Sequence, residues 1–173
     1  AGDGRTFSTG PDGTGATQEA PVQTGIAIPA TEPGGAGPGG AVEVTSGPIT
    51  DPAPTGYDFL GNQVNIDSTV SGTPEAPLVL TFTIEGTIPG LDPSTLTIVR
   101  TEGGVSVVLP LCTGSSGTAS PDPCMSPPQV IASGAAAGDI SVTVFTSHAS
   151  AWNFAVHAPY AKGGFFAPVD NAP

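Results

Sequence analysis

Two cysteines flanked by runs of β-branched and apolar residues constrain this chain more than any other feature. Residues 96–112 read LTIVRTEGGVSVVLPLC, a polar loop then leads to Cys124, and a later run reads ISVTVFTSHASAWNFAV. A disulfide between Cys112 and Cys124 would close a loop of about 12 residues and stabilise the fold by about 3 kcal/mol.

A zinc site and a redox-active pair both fit the two cysteines less well than a disulfide does. A zinc site would need further ligands, and no histidine lies near either cysteine in the sequence. A redox-active pair is normally much closer, as in Cys-x-x-Cys. We therefore predict a structural disulfide, which suits an oxidising compartment and an extracellular or cell-surface location.

Short apolar segments separated by turn residues predict an all-β fold. The best of them, LVLTFTI, alternates large apolar residues with threonine, and no segment of the chain has helical periodicity. The predicted strands cover residues 57–66, 78–84, 96–100, 105–111, 140–145 and 151–156. Regular spacing of such strands is typical of an antiparallel β-sandwich. We expect its core to contain Phe82, Trp152 and Phe154, with Phe59, Val64 and Ile66 as further candidates.

Residues 1–55 form a predicted extended arm. About half of the chain's 25 glycines precede Asp51, with few large apolar residues among them. Ordering such a segment costs about 1–2 kcal/mol of backbone entropy per residue. The arm is therefore either a disordered linker or one or two strands docked onto a sheet of its own chain or of a neighbour. The residues that would anchor a docked arm are Ile26, Ile28, Val42 and Val44.

The predicted sandwich covers residues 56–158, and residues 159–173 follow it as an extended tail. The tail is apolar and interrupted by proline, and no further strand follows to pair with it. Phe165, Phe166 and Val169 are the residues that would anchor this tail if it, rather than the arm, docked onto a neighbouring molecule.

Charge excludes some partners. The formal net charge is −12, with only Arg5, Arg100 and Lys162 as fixed cations against 15 carboxylates. Such a surface repels phosphate backbones, so we expect no nucleic-acid binding. No apolar run approaches the roughly 18 residues of a membrane span, so we expect no membrane insertion.

The sequence contains no catalytic motif, and we expect no enzyme activity. His148 and His157 are the only histidines, and the carboxylate nearest to His148 in the sequence is Asp139. We interpret Thr-Ser-His-Ala-Ser around His148 as a polar bend. No EF-hand pattern occurs and no cofactor is predicted, although a calcium site assembled from separate loops stays open.

Several segments together resemble a known family. They are GYDFLGNQVNI, APLVLTFTI, DPSTLTIVR, LCTGSSGTASPDPC and GDISVTVFTSHASAWNFAV. They resemble a β-module of large secreted and surface proteins of actinobacteria. The closing GGFFAPVDNAP is similar to the lead-in to the Pro-x-Lys-Phe (PxKF) module that often follows it. The resemblance covers residues 56–173 and implies an Ig-like sandwich, an extracellular location and a joined cysteine pair. It implies no catalytic residues.

The sequence thus leads to two main hypotheses about function, beside the alternative that the chain is an accessory domain trimmed from a secreted enzyme. In the first, the protein is an extracellular structural subunit that docks its arm or tail onto a neighbouring copy to build a filament or surface layer. In the second, it is a non-catalytic adhesion module that binds glycans, a host surface or calcium.

Overall fold

The computed structural model describes residues 6–8, 20–28 and 42–158, and of residues 6–8 it describes the backbone alone. Every regular element in these ranges is a β-strand. The strands are β1 (Thr6–Ser8), β2 (Val22–Ala27), β3 (Val42–Gly47), β4 (Tyr57–Ser68), β5 (Leu78–Ile84), β6 (Thr97–Glu102), β7 (Val105–Val108), β8 (Cys124–Met125), β9 (Gln129–Val130), β10 (Ile140–Thr146) and β11 (Ala151–His157).

The strands form two sheets. Sheet A has the order β1-β2-β5-β10-β8, with the short β9 also paired to β10, and sheet B has the order β3-β4-β11-β6-β7. All pairings between these strands are antiparallel. Apolar side chains from both sheets pack into one core. The prediction of an all-β fold made of antiparallel sheets is therefore confirmed.

The centre of sheet A is the pair β5 and β10. Both strands bury every second residue and leave the residues between them half-buried. This alternation matches the period of two in a strand, which sends successive side chains to opposite faces. The two strands pair over seven residues, from Ile140 opposite Ile84 to Thr146 opposite Leu78. Their buried side chains pack against those of sheet B.

Three aromatic side chains in the core contact one another across the two sheets. Phe82 of β5 and both Trp152 and Phe154 of β11 are fully buried. The rings of Phe82 and Phe154 meet edge to face with their centroids 5.0 Å apart, and the Trp152 ring lies 6.4 Å from Phe82. Edge-to-face contacts of this kind are favoured by the ring quadrupole.

Strand β4 is bulged where it pairs with β11. Three residues of β4 lie opposite Asn153 alone, and the first of them is Gly61 with a φ of 65°. A Cβ there would lie 3.2 Å from a methyl group of Val22, so glycine suits both the backbone and the packing. Phe59, before the bulge, pairs with Ala155 and is half-buried. It is not a core residue, contrary to the sequence prediction.

Strands β6 and β7 fall on the predicted strands of residues 96–100 and 105–111 and pair as a hairpin. Glu102 pairs with Val105 across a two-residue turn, in which Gly103 and Gly104 have φ values of 57° and 79°. Two consecutive residues with positive φ are typical of a type I′ turn, whose twist matches that of the strands.

Cys112 and Cys124 are joined by a disulfide, with their Cα atoms 5.0 Å apart. The loop between them is also hydrogen-bonded to its surroundings. The Cys112 amide donates to the Met125 carbonyl at 3.0 Å, and the Ala119 amide donates to the Pro74 carbonyl at 2.8 Å. These contacts hold the loop against the sandwich.

Candidate assembly site

Strand β2 of the arm is an integral part of sheet A. It lies between β1 and β5, and its pairing with β5 extends over six residues from Val22 opposite Ile84 to Ala27 opposite Val79. Its inward side chains Val22, Thr24 and Ile26 are 4%, 1% and 1% exposed. The arm residue Ile26 is therefore as deeply buried as the central strands, because the alternation in VQTGIA turns every second side chain toward the core.

Strand β3 is less buried than β2. It pairs with β4 at the edge of sheet B, and its residues Val42 and Val44 are half-buried against the core. Ile28, just after β2, is also half-buried there. The four predicted anchors of the arm thus all contact the core of their own chain, and Ile26 is the most deeply buried of them. The predicted tail anchors Phe165, Phe166 and Val169 lie outside the described residues.

The segment between β3 and β4 crosses the outer face of sheet B, which sequence reasoning missed. The side-chain oxygen of Gln63 accepts hydrogen bonds from the amides of Thr50 and Asp51 at 3.0 and 3.1 Å. The amide group of Asn153 donates to the Asp51 carboxylate at 3.4 Å. Gln63 and Asn153 are only 4% and 0% exposed. The sequence carries no local signal for this crossing beyond the presence of these two amide side chains on adjacent strands.

Strand β7 leaves the other edge of sheet B open. It is the last strand of that sheet in the described chain, and Val105 and Val107 are 63% and 46% exposed. The neighbouring strand carries the ion pair of Arg100 and Glu102, whose charged groups are 3.2 Å apart. An exposed apolar edge strand is a template for pairing with another chain.

The Thr-Ser-His-Ala-Ser segment is held by Asp122. The Ser147 amide donates to one oxygen of the Asp122 carboxylate at 3.0 Å, and the Ser147 hydroxyl donates to the other. The ring of His148 is exposed, and the Asp139 carboxylate accepts from the Gly86 amide at 3.3 Å. The carboxylate beside this bend is therefore Asp122 of the disulfide loop. The arrangement fastens a loop to the bend between β10 and β11.

A groove of about 580 Å³ lies where β11 ends. Its lining residues are Asp58, Phe59, Leu60, Pro89, Gly90, Asp92, Thr95, Val156 and His157. The His157 ring contacts the Tyr57 ring with centroids 4.8 Å apart. Two hydrogen bonds from Ser94 lower the pKa of the exposed Asp92 carboxyl below its usual range. The groove combines carboxylates with a half-buried aromatic side chain.

Among the described residues, no three His, Cys, Asp or Glu side chains are placed to share a metal ion. None of the described residues belongs to a helix that could cross a membrane. Comparison of the chain with protein-family models, curated proteins and solved structures found no match.

Proposed function

We propose that this protein is an extracellular structural subunit, an Ig-like β-sandwich with an N-terminal arm, that assembles with copies of itself by exchanging strand β2. The observation that carries the proposal is the position of β2, an arm strand that is paired along its whole length and buried in sheet A. The disulfide supports the location, because such bonds persist in oxidising compartments.

The contacts of β2 do not depend on which molecule supplies the strand. Val22 and Ile26 contribute about 1.5–3 kcal/mol each by burial, and the ladder to β5 adds backbone hydrogen bonds. A neighbouring copy presents an identical β5, so exchange replaces each contact with an equivalent one. The balance between the closed monomer and the exchanged polymer is therefore governed by concentration.

The connection between β2 and β3 is long enough for exchange. Residues 29–41 lie outside the described ranges, and their sequence PATEPGGAGPGGA comprises 13 residues with five glycines and three prolines. Such a segment spans up to about 45 Å when extended, whereas stacked sheets lie about 10 Å apart. Tethering keeps β2 at an effective concentration on the order of mM at its own sheet. We therefore expect monomers in dilute solution and polymers where copies are crowded.

The length of this connection provides a direct test. A connection deleted so that Ile28 is joined directly to Val42 spans only about 4 Å, less than the separation of about 10 Å between stacked sheets, so return of β2 to its own sheet becomes strained. We expect this variant to form oligomers with the strand content of the natural chain, measured by light scattering and circular dichroism. The control replaces residues 29–41 with 13 glycine and serine residues and should behave like the natural chain. A shortened variant that stays a folded monomer would contradict exchange.

A second comparison tests the role in assembly of the natural protein. Negative-stain microscopy at about mM concentration should show polymers of the full chain, since that is the effective concentration of the tethered strand. Ile26→Asp places a charge in the core and should abolish them. Gln23→Asp, on the half-buried outer face of the same strand, should retain them. Natural protein that forms only separate particles would count against the proposed function.

The groove at the end of β11 favours the second candidate function, a non-catalytic adhesion module. Carboxylates beside an aromatic ring, here Asp58 and Asp92 near Phe59, are groups that bind sugar hydroxyls or a cation. Glycan-array binding by the full chain, or a rise in its melting temperature with calcium, would support this function. Loss of that signal in Phe59→Ala would locate it at the groove.

A further inference from the structure

Among the described residues, the outer edge of β7 in sheet B has a defined set of backbone groups that no other strand pairs. Glu102 and Val105 flank the two-residue turn and therefore form a hydrogen-bonded pair. Hydrogen-bonded pairs alternate with non-hydrogen-bonded pairs along an antiparallel ladder, so Arg100 with Val107 and Ile98 with Leu109 are the next hydrogen-bonded pairs. The Leu109 amide does donate to the Ile98 carbonyl, at 2.9 Å. Ser106 and Val108 consequently direct their N–H and C=O groups away from β6, toward the open side of the sheet.

Other edges of the sandwich carry features that hinder pairing. Strand β3 has the exposed Glu43, β1 is three residues long, and β8 and β9 are each two residues long. Charges on an edge and very short strands are common means of preventing edge-to-edge association. Strand β7 has neither protection: residues 103–111 (GGVSVVLPL) contain no charge, and no proline falls within the strand.

Charge indicates which partner this edge fits. The chain carries a net charge of −12, so two copies repel one another across most of their surfaces. Strand β7 adds nothing to this repulsion, because the strand is uncharged and Arg100 on the next strand forms an ion pair with Glu102. The β7 edge is therefore a place where a second copy can approach closely without bringing carboxylates together.

We propose that β7 pairs antiparallel with β7 of a second copy in a two-fold symmetric contact. Centred on Val107, the pairing lets Ser106 of each copy exchange both backbone hydrogen bonds with Val108 of the other. The two Val107 side chains then lie opposite one another at the closest spacing of a ladder. The contact joins two copies of sheet B into one continuous sheet and is isologous, so it closes at the dimer.

This contact goes beyond strand exchange and uses a different edge. Exchange of β2 occupies the open side of β5 in sheet A, whereas β7 ends sheet B at the edge opposite β3. Exchange from one copy to the next produces linear chains, whereas β7 pairing alone produces dimers. A ladder of four residues buries little surface, so we expect a weak, reversible dimer.

Sedimentation equilibrium of the full chain from about 10 μM to about 0.2 mM, below the mM concentration at which β2 exchange builds polymers, tests the proposal with a matched pair of variants. Val107→Lys places a charge at the centre of the ladder, and Val130→Lys makes the same change at a valine that is 56% exposed on β9. We expect the natural chain and Val130→Lys to approach the dimer mass at high concentration, and Val107→Lys to stay monomeric. Trp152 fluorescence checks that both variants are folded.

Amide hydrogen exchange tests the register independently of any substitution. Raising the concentration of the natural chain should slow exchange at the Ser106 and Val108 amides and leave Val107, already bonded to β6, unchanged. A natural chain that is monomeric throughout, a Val107→Lys variant that still dimerises, or protection at Val107 alone would overturn the proposal. If β2 exchange fails while these amides become protected, the proposed function fails and the β7 contact stands.

Discussion

Truncating Ile26 to alanine measures how strongly the arm strand is held. The side chain is 1% exposed and lies opposite Leu80 of β5 in the ladder. Truncation of a fully buried isoleucine costs about 2–5 kcal/mol through lost burial and the cavity left behind. Because the 13 residues 29–41 separate β2 from β3, β2 can detach while the rest of the sandwich stays folded. The lost stability should therefore appear first as detachment of β2 and then as global unfolding.

The assay is amide hydrogen exchange of β5, whose ladder to β2 opens when the arm detaches. A loss of about 2–5 kcal/mol corresponds to about 30-fold to 5,000-fold faster exchange at the β5 amides bonded to β2. Ile28→Ala is the matched control, since Ile28 is only half-buried and its truncation should accelerate exchange much less. Equal acceleration by the two substitutions would refute the assignment of Ile26 as the main anchor of the arm.

Two further predictions concern the loops at the ends of the sandwich. Asp122→Ala removes the acceptor of both hydrogen bonds from Ser147 and should destabilise the fold by about 1.5–3 kcal/mol in denaturant unfolding, with circular dichroism as the readout. Asp92 has a folded pKa below its ordinary value, so its stabilisation of the turn is present above the unfolded pKa and is lost as pH falls through the folded one. An NMR titration should show the Ser94 amide shift moving below about pH 4, and Asp92→Asn should abolish that transition.

The parts of the fold predictable from sequence are those fixed by local patterns. The alternation of β5 and β10 and the two glycines of the β6–β7 turn depend on residues close to one another in the chain. The burial of Phe82, Trp152 and Phe154 follows from the size of these side chains. Each element has its own period, which is why its strand and its buried face could be predicted directly.

What the sequence did not disclose depends on contacts between distant residues. The segment after β3 lies on sheet B because the Thr50 and Asp51 amides donate to Gln63, and nothing local marks that acceptor. In the same way, the nearest carboxylate in sequence to the bend at Ser147 is Asp139, whereas the fold brings Asp122 there from 25 residues away. The alternation of β2 predicted a strand and left its partner sheet open.

The order in which the strands occur along the chain affects how the protein acquires its structure. Strand β2 pairs with residues that follow it by more than 50 positions, and β4 pairs with β11, which is still farther away. Such non-local pairing folds slowly, because the chain must close long loops before the contacts form. A chain that emerges from its amino end therefore presents β2 before β5 is available. Under the proposed function, that interval is when β2 can pair with the β5 of another copy whose own β2 is detached, so the timing of synthesis, as well as concentration, would favour assembly.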